Sequence, residues 1–96
     1  MATVNGSQNK NFSAAALVST GVGVWNGIVI NSHSSGTIKV IDGLTAGSGR
    51  IILNTYTLPS GSQVISFPNG AAYTTGLFID TAGTTVNYTV SWNGPS

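Results

Sequence analysis

Alternation of apolar and polar residues through TVNYTVSWN at 85–93 constrains the fold more than any other feature of this chain. The apolar residues occupy every second position, at Val86, Tyr88, Val90 and Trp92. A period of two places alternate side chains on opposite faces of a β-strand. The segment therefore predicts a strand of an antiparallel sheet, with one face on a core and the other towards solvent.

Shorter runs of similar character recur along the chain, and residues that favour tight turns separate them. The predicted strands span 14–20, 22–31, 37–42, 50–58, 62–67, 75–80 and 85–93. The sequence contains 13 Gly, 12 Ser, 12 Thr and 9 Asn, which suit turns and pleated strands rather than helices. We expect an all-β fold, an antiparallel β-sandwich of jelly-roll or Greek-key type with seven or eight short strands.

Two segments allow a second interpretation. AAALV at 14–18 has some helix propensity, but the run is short and uncharged, and we favour a strand. Asn26-Gly27 is a strong hairpin signal, yet a glycine can also mark a β-bulge within one long strand. We favour the long strand.

The chain has the length of one domain, with 96 residues. Residues 1–11 are polar and aperiodic, and predict a flexible N-terminal arm, whereas residues 12–96 predict the single sandwich domain. The first ten residues do not resemble a signal peptide, and no apolar run is long enough to span a membrane. We therefore expect synthesis in a cytoplasm and no membrane partner.

Charge is scarce: three Lys and Arg residues stand against two acidic residues, which leaves a net charge of +1. Nucleic-acid binding is not expected, because each neutralised phosphate requires its own cation. The sequence has no Cys, which excludes disulfides and thiolate metal sites. Edge strands are usually protected by charges or Pro, but only Lys39 is a cation clearly within the interior of a predicted strand, so we expect neighbouring subunits to cover the edges.

Few side chains could perform catalysis. His33 is the only histidine, and it is expected to be a solvated turn residue, since no carboxylate lies near it in sequence. Asp42 and Asp80 are the only acidic side chains, and both are expected to cap turns at strand ends. We predict no catalytic residues, no metal site, no cofactor and no enzymatic activity.

The aromatic residues could pack in the core or in a subunit contact, or they could form an exposed surface on which sugar rings stack. Aromatic side chains that alternate in strands usually pack in a core or a subunit contact, and Tyr88, Val90 and Trp92 are the candidates for such contacts. If several aromatic rings were exposed on one face, they could stack on sugars. Trp25 and Tyr73 are the residues through which we would test that alternative.

Four segments carry a resemblance to a known group of proteins: GIVINS at 27–32, SGTIKVIDG at 35–43, YTTGLFI at 73–79 and VNYTVSW at 86–92. Together they resemble the small jelly-roll structural proteins of tailed bacteriophages, of the capsid decoration or cement type. The likeness covers most of residues 20–92. Related domains also occur in neck, tail and fibre components, so a carbohydrate- or receptor-binding module remains the alternative.

The resemblance implies a homotrimer on the virion surface that binds and stabilises the major capsid protein shell. It implies no catalytic residues. The polar arm is expected to fold onto the shell, with Val4, Lys10 and Phe12 as the candidate contact residues. Symmetric assembly would also bury sheet edges that a short chain cannot cover.

Overall fold

The computed structural model of the chain describes residues 8–33 and 36–95, except for the side chains at 67 and 68. These residues form eight β-strands and no helix. The strands are β1 (Gln8–Phe12), β2 (Ala16–Thr20), β3 (Gly23–His33), β4 (Thr37–Thr45), β5 (Ser48–Thr57), β6 (Gln63–Tyr73), β7 (Gly76–Asp80) and β8 (Val86–Asn93). The predicted all-β class is confirmed.

The strands form two four-stranded antiparallel sheets. The first sheet has the order β1-β8-β3-β6, and the second has the order β2-β7-β4-β5. The pairs β1–β8, β2–β7, β3–β6 and β4–β5 are nested, as in one long hairpin rolled onto itself. Contacts of β3 with β8 and of β4 with β7 complete the sheets. This nested pairing is the jelly-roll topology, so the predicted sandwich is confirmed.

The core lies between the two sheets and draws on both. The alternating segment becomes β8, and its four apolar side chains are at most 2% exposed. The other buried members of the core come from β2, β3, β4, β7, the end of β6 and the segment after β5: Val18, Trp25, Ile28, Ile30, Ile38, Val40, Leu58, Tyr73, Leu77 and Ile79. Burial of each large apolar side chain contributes about 1.5–3 kcal/mol, which makes this layer the main source of stability.

Strand β1 was not predicted, because its residues lack an apolar pattern. Four of the five residues of Gln8–Phe12 are exposed. The strand is held instead by antiparallel pairing with β8, in which Gln8 lies opposite Trp92 and Phe12 opposite Tyr88. Residues 8–11, assigned to the arm by the sequence, therefore belong to the first sheet, and residues 1–7 lie outside the described part.

One segment between predicted strands lies inside a strand, and another is shorter than predicted. PNG at 68–70 falls within β6, between Ser66, which pairs with Gly27, and Ala71, which pairs with Trp25. The extra residues are accommodated as an irregularity in the ladder, and Gly70 takes a φ of 75° there. Strand β4 continues past 42 to Thr45, since its pairing with β5 shifts register rather than ending.

Strand β3 is continuous and bulged at the Asn26-Gly27 pair. Its pairing with both β6 and β8 changes register between Trp25 and Gly27. A Cβ atom on Gly27 would come within 2.7 Å of the Ile65 carbonyl oxygen, which explains why a glycine is needed here. The long-strand interpretation is confirmed, and the segment at 16–20 is a strand rather than a helix.

Candidate interaction surfaces

The outer face of the second sheet carries an apolar row that crosses all four strands. Leu17 pairs with Phe78, Phe78 pairs with Ile41, and Ile41 pairs with Ile51. Directly opposed residues of antiparallel strands project from the same face, so the four side chains are neighbours. Leu17 is 41% exposed and Ile51 is 47% exposed at the two ends of the row, whereas Phe78 is half-buried and Ile41 is only 2% exposed. We call these four residues the apolar row.

Leu44 and one pair of charged residues flank the apolar row. Leu44 is 47% exposed, and its Cδ2 atom would be 2.9 Å from a Cβ placed on Gly76, two positions before Phe78. Lys39 pairs directly with Asp80, two positions from Ile41 and Phe78 on the same face. The outer face of the second sheet thus combines apolar side chains with one charge of each sign.

Asp42 lies in β4 and is only 5% exposed. Its carboxylate accepts hydrogen bonds from the backbone amides of Thr74, Thr75 and Gly76 at 2.9–3.4 Å. The Thr74 hydroxyl and the Arg50 guanidinium also donate to Oδ2, at 3.3 and 3.4 Å. The prediction that Asp42 caps its own turn is wrong, because the carboxylate instead holds the turn between β6 and β7.

The pKa of Asp42 reflects two opposing effects. Burial by itself would raise the pKa of the carboxyl, because it disfavours the charged form. The backbone amides of Thr75, Thr74 and Gly76, with the Thr74 hydroxyl, stabilise the carboxylate more strongly. The pKa is therefore lowered from 3.8, which favours the charged carboxylate that accepts these hydrogen bonds.

His33 and Asp80 are also held by backbone groups. His33 is the last residue of β3 rather than a turn residue, and it is half-buried rather than fully solvated. Its Nε2–H donates to the Pro59 carbonyl at 2.6 Å, because a carbonyl can only accept. Asp80 ends β7, and its Oδ1 accepts from the Ala82 amide at 2.9 Å, which is the turn-capping arrangement that the sequence predicted.

The other predicted contact residues fall in two places. Tyr88, Val90 and Trp92 all lie in the core, and burial raises the pKa of Tyr88, whose hydroxyl donates to the Ala14 carbonyl. Lys10 and Phe12 lie on β1, where the Lys10 ammonium is 5.5 Å from the centroid of the Phe12 ring and that ring stacks on Tyr88. Val4 lies outside the described residues.

The outer face of the first sheet combines neutral polar side chains with exposed valines. Across the strands, Asn11 lies opposite Thr89, which lies opposite Val29. Asn11 Nδ2 and Asn31 Nδ2 both donate to the side chains of Asn87 and Thr89, at 2.9–3.3 Å. We call Asn11, Asn31, Asn87 and Thr89 the amide ladder.

A groove of about 320 Å³ opens at one end of this ladder. It lies beside the end of β3 and the start of β8, and the loop that joins β1 to β2 contributes Ser13 to its wall. The lining residues are Ser13, Ser32, His33, Thr85 and Asn87. No pattern in the sequence identified these residues, because Ser and Thr are too frequent for any one of them to stand out.

The aromatic platform considered from the sequence is not present at the residues chosen for it. Trp25 and Tyr73 are both fully buried, at 0% exposure. Tyr56, at 38%, is the exposed large aromatic residue in the described part of the chain. A sugar would therefore have to be bound by polar groups and not by stacking on those two rings.

Within the described ranges, no three His, Cys, Asp or Glu side chains group together as metal ligands would. Nor does that part of the chain hold a helix suited to crossing a bilayer. Comparisons of the sequence and the structure with family models, curated proteins and solved structures found no match.

Proposed function

We propose that this protein is a non-enzymatic structural subunit of a virion, a capsid decoration protein that forms homotrimers and binds the major capsid protein of a tailed phage. In this proposal it is made in the host cytoplasm and added to the capsid surface. The resemblance in the sequence supports this setting, and the jelly-roll topology agrees with the fold that the resemblance implies.

The apolar row is the observation that carries the proposal. Contiguous apolar surface on a small domain is typical of a protein–protein interface, whereas single exposed apolar residues are common everywhere. Here the exposed Leu17 and Ile51 lie at opposite edges of one sheet, and the side chains between them are apolar but less exposed: Phe78 is half-buried and Ile41 is buried. A neighbouring subunit that covered this face would bury both exposed ends of the row at once.

The charges beside the row favour a second copy of the chain as its partner. Lys39 and Asp80 are adjacent on this face, so the face carries both signs of charge. In a homo-oligomer, Lys39 of one copy can lie against Asp80 of a neighbour. A partner of a single sign of charge would leave one of the two residues facing a like charge.

Strand β5 supports assembly in a second way. It has ten residues, eight of them exposed, and it pairs only with β4 at the edge of the second sheet. Arg50 is its single charged residue. Long edge strands with few charges are suited to pairing with another chain.

The self-association is tested by light scattering over a range of protein concentrations. We expect the native chain to form trimers. Ile51→Lys places a charge in the apolar row and is expected to weaken association by about tenfold or more. Val64→Lys is the matched control, because Val64 is 68% exposed on the outer face of the other sheet. A 9.7 kDa species at every concentration, or equal effects of the two variants, would contradict the proposal.

The capsid assignment needs a separate experiment on phage particles that lack this chain. Electron microscopy should reveal the loss of density on the capsid surface, and the particles should break at lower temperature or under milder osmotic shock. Unchanged density together with unchanged resistance would rule out a decoration function.

A further inference from the structure

The groove at the end of the amide ladder lies away from the apolar row proposed for assembly. It is formed by Ser13, Ser32, His33, Thr85 and Asn87, and its volume is about 320 Å³. This size lies at the lower end of the range for small-molecule sites, roughly 300–1,000 Å³. The groove is on the first sheet, so the apolar row can be covered while the groove stays open.

The orientation of Asn87 in this groove is determined by its neighbours. Asn11 Nδ2 donates to the Tyr88 backbone carbonyl at 3.0 Å, which fixes which end of the Asn11 amide is nitrogen. The same nitrogen donates to Asn87 Oδ1 at 2.9 Å, and Asn31 Nδ2 donates to that oxygen at 3.1 Å. Two donors therefore hold the Asn87 oxygen, and no described residue accepts a hydrogen bond from its Nδ2.

The remaining lining side chains are neutral, and three of them carry hydroxyl groups. Ser13, Ser32 and Thr85 are exposed, and their hydroxyls make no hydrogen bond to a described residue. A hydroxyl can both donate and accept, whereas the Asn87 amide nitrogen can only donate. The His33 ring is held in place by its bond to the Pro59 carbonyl. None of the described residues that line the groove is Lys, Arg, Asp or Glu.

This chemistry matches a ligand that is neutral and carries several hydroxyl groups. A sugar hydroxyl can accept from the oriented Asn87 amide and donate to a serine or threonine oxygen in the same groove. Charged ligands would find no counter-charge to replace their hydration. We propose that the groove binds one neutral pyranose unit of a carbohydrate, which is an activity beyond the structural function proposed above.

The test is a titration of ¹⁵N-labelled protein with neutral monosaccharides, followed by NMR. Glucose, galactose, mannose and N-acetylglucosamine are added to roughly 100 mM, a range that covers millimolar dissociation constants. We expect saturable shifts of the Asn87 side-chain amide with at least one sugar. Glycerol and glucuronic acid are the controls for non-specific hydroxyl effects and for an anionic ligand. Shifts with none of the neutral sugars, or equal shifts with glycerol, would overturn the proposal, as would saturation by glucuronic acid alone.

Two variants connect binding to the groove. Asn87→Asp keeps an oxygen for Asn11 and Asn31 but removes the donor, and it should weaken sugar binding at least tenfold. Thr85→Val removes one exposed hydroxyl without disturbing a strand, and it should weaken binding by a smaller factor. Asn93→Asp is the matched control, because Asn93 accepts from Asn26 at the other end of the same strand and should leave binding unchanged.

The result is independent of the assembly proposal. Light scattering of the same samples reports the oligomeric state, so a failure of sugar binding is not confused with a failure to assemble. Full sugar affinity in both Asn87→Asp and Thr85→Val would show that the sugar binds elsewhere and would overturn the assignment.

Discussion

The two sheets place their polar groups in opposite ways. The first sheet keeps neutral amides and hydroxyls on its outer face, where Asn11 and Asn31 bond to Asn87. The second sheet has an apolar row outside, and it buries the charged carboxylate of Asp42 against the turn at 74–75. A buried carboxylate thus stabilises a turn in the second sheet, whereas exposed amides and hydroxyls of the first sheet remain accessible to a ligand.

Replacement of Asp42 should have the largest effect on stability. Asp42→Asn keeps the size of the side chain but removes the charge and one acceptor, and it leaves backbone N–H groups near the turn without a partner. We expect a loss of about 2–4 kcal/mol in the free energy of unfolding. Urea denaturation measures this change.

The first sheet provides the matched comparison for that experiment. Asn31→Ala removes two side-chain hydrogen bonds of the amide ladder on the exposed face. We expect a loss below about 1 kcal/mol, because water replaces the lost partners. Equal losses for Asp42→Asn and Asn31→Ala would show that the difference between buried and exposed polar groups is unimportant here.

Lowering the pH should reduce the stabilisation that the Asp42 carboxylate provides, and this effect should be smaller than that of the Asp42→Asn substitution. The pKa of this carboxyl is lower in the folded chain than its usual value of 3.8, so the folded state binds the proton less tightly than the unfolded state. The stabilisation is thus complete above the unfolded pKa and is lost as the pH falls through the folded pKa. We expect the difference in unfolding free energy between the native chain and Asp42→Asn to shrink from about pH 5 towards pH 2. A constant difference across that range would contradict the assignment.

The smallest effect concerns the charges beside the apolar row. Lys39→Asp puts two negative charges on the face and should weaken self-association by about fivefold or less, since ion pairs that keep contact with solvent contribute little. The double variant Lys39→Asp with Asp80→Lys restores one charge of each sign and should recover the native association. Light scattering at low salt distinguishes the variants. If the double variant stays as weak as the single one, Lys39 does not face Asp80 of another copy.

The fold was predictable because its main signal is local. The alternation in β8 and the turn residues between runs reflect the period of a strand, which needs no knowledge of neighbours. Strand β1 carries no such signal, since four of its five residues are exposed and its strand geometry comes from pairing with β8. Turn residues were also misleading at PNG 68–70, because a glycine can fit a bulge in a long strand as well as a turn.

The candidate surfaces were less predictable than the fold. Ile41 and Ile51 lie in strands with apolar residues at adjacent positions, and such runs do not reveal which side chain faces outwards. The amide ladder and the groove join residues far apart in sequence, such as Asn11 and Asn87. Only strand register brings these residues together.

By itself the sequence determined the all-β class, the positions of most strands and the scarcity of charge, because each depends on local periodicity or on composition. Tertiary structure alone decided that Asp42 anchors a distant turn, that an apolar row crosses the second sheet, and that Asn87, whose oxygen accepts from Asn11 and Asn31, lines a groove. The physical reason is that these features arise from pairing between strands, and pairing follows from the packing of both sheets on one core rather than from any single segment.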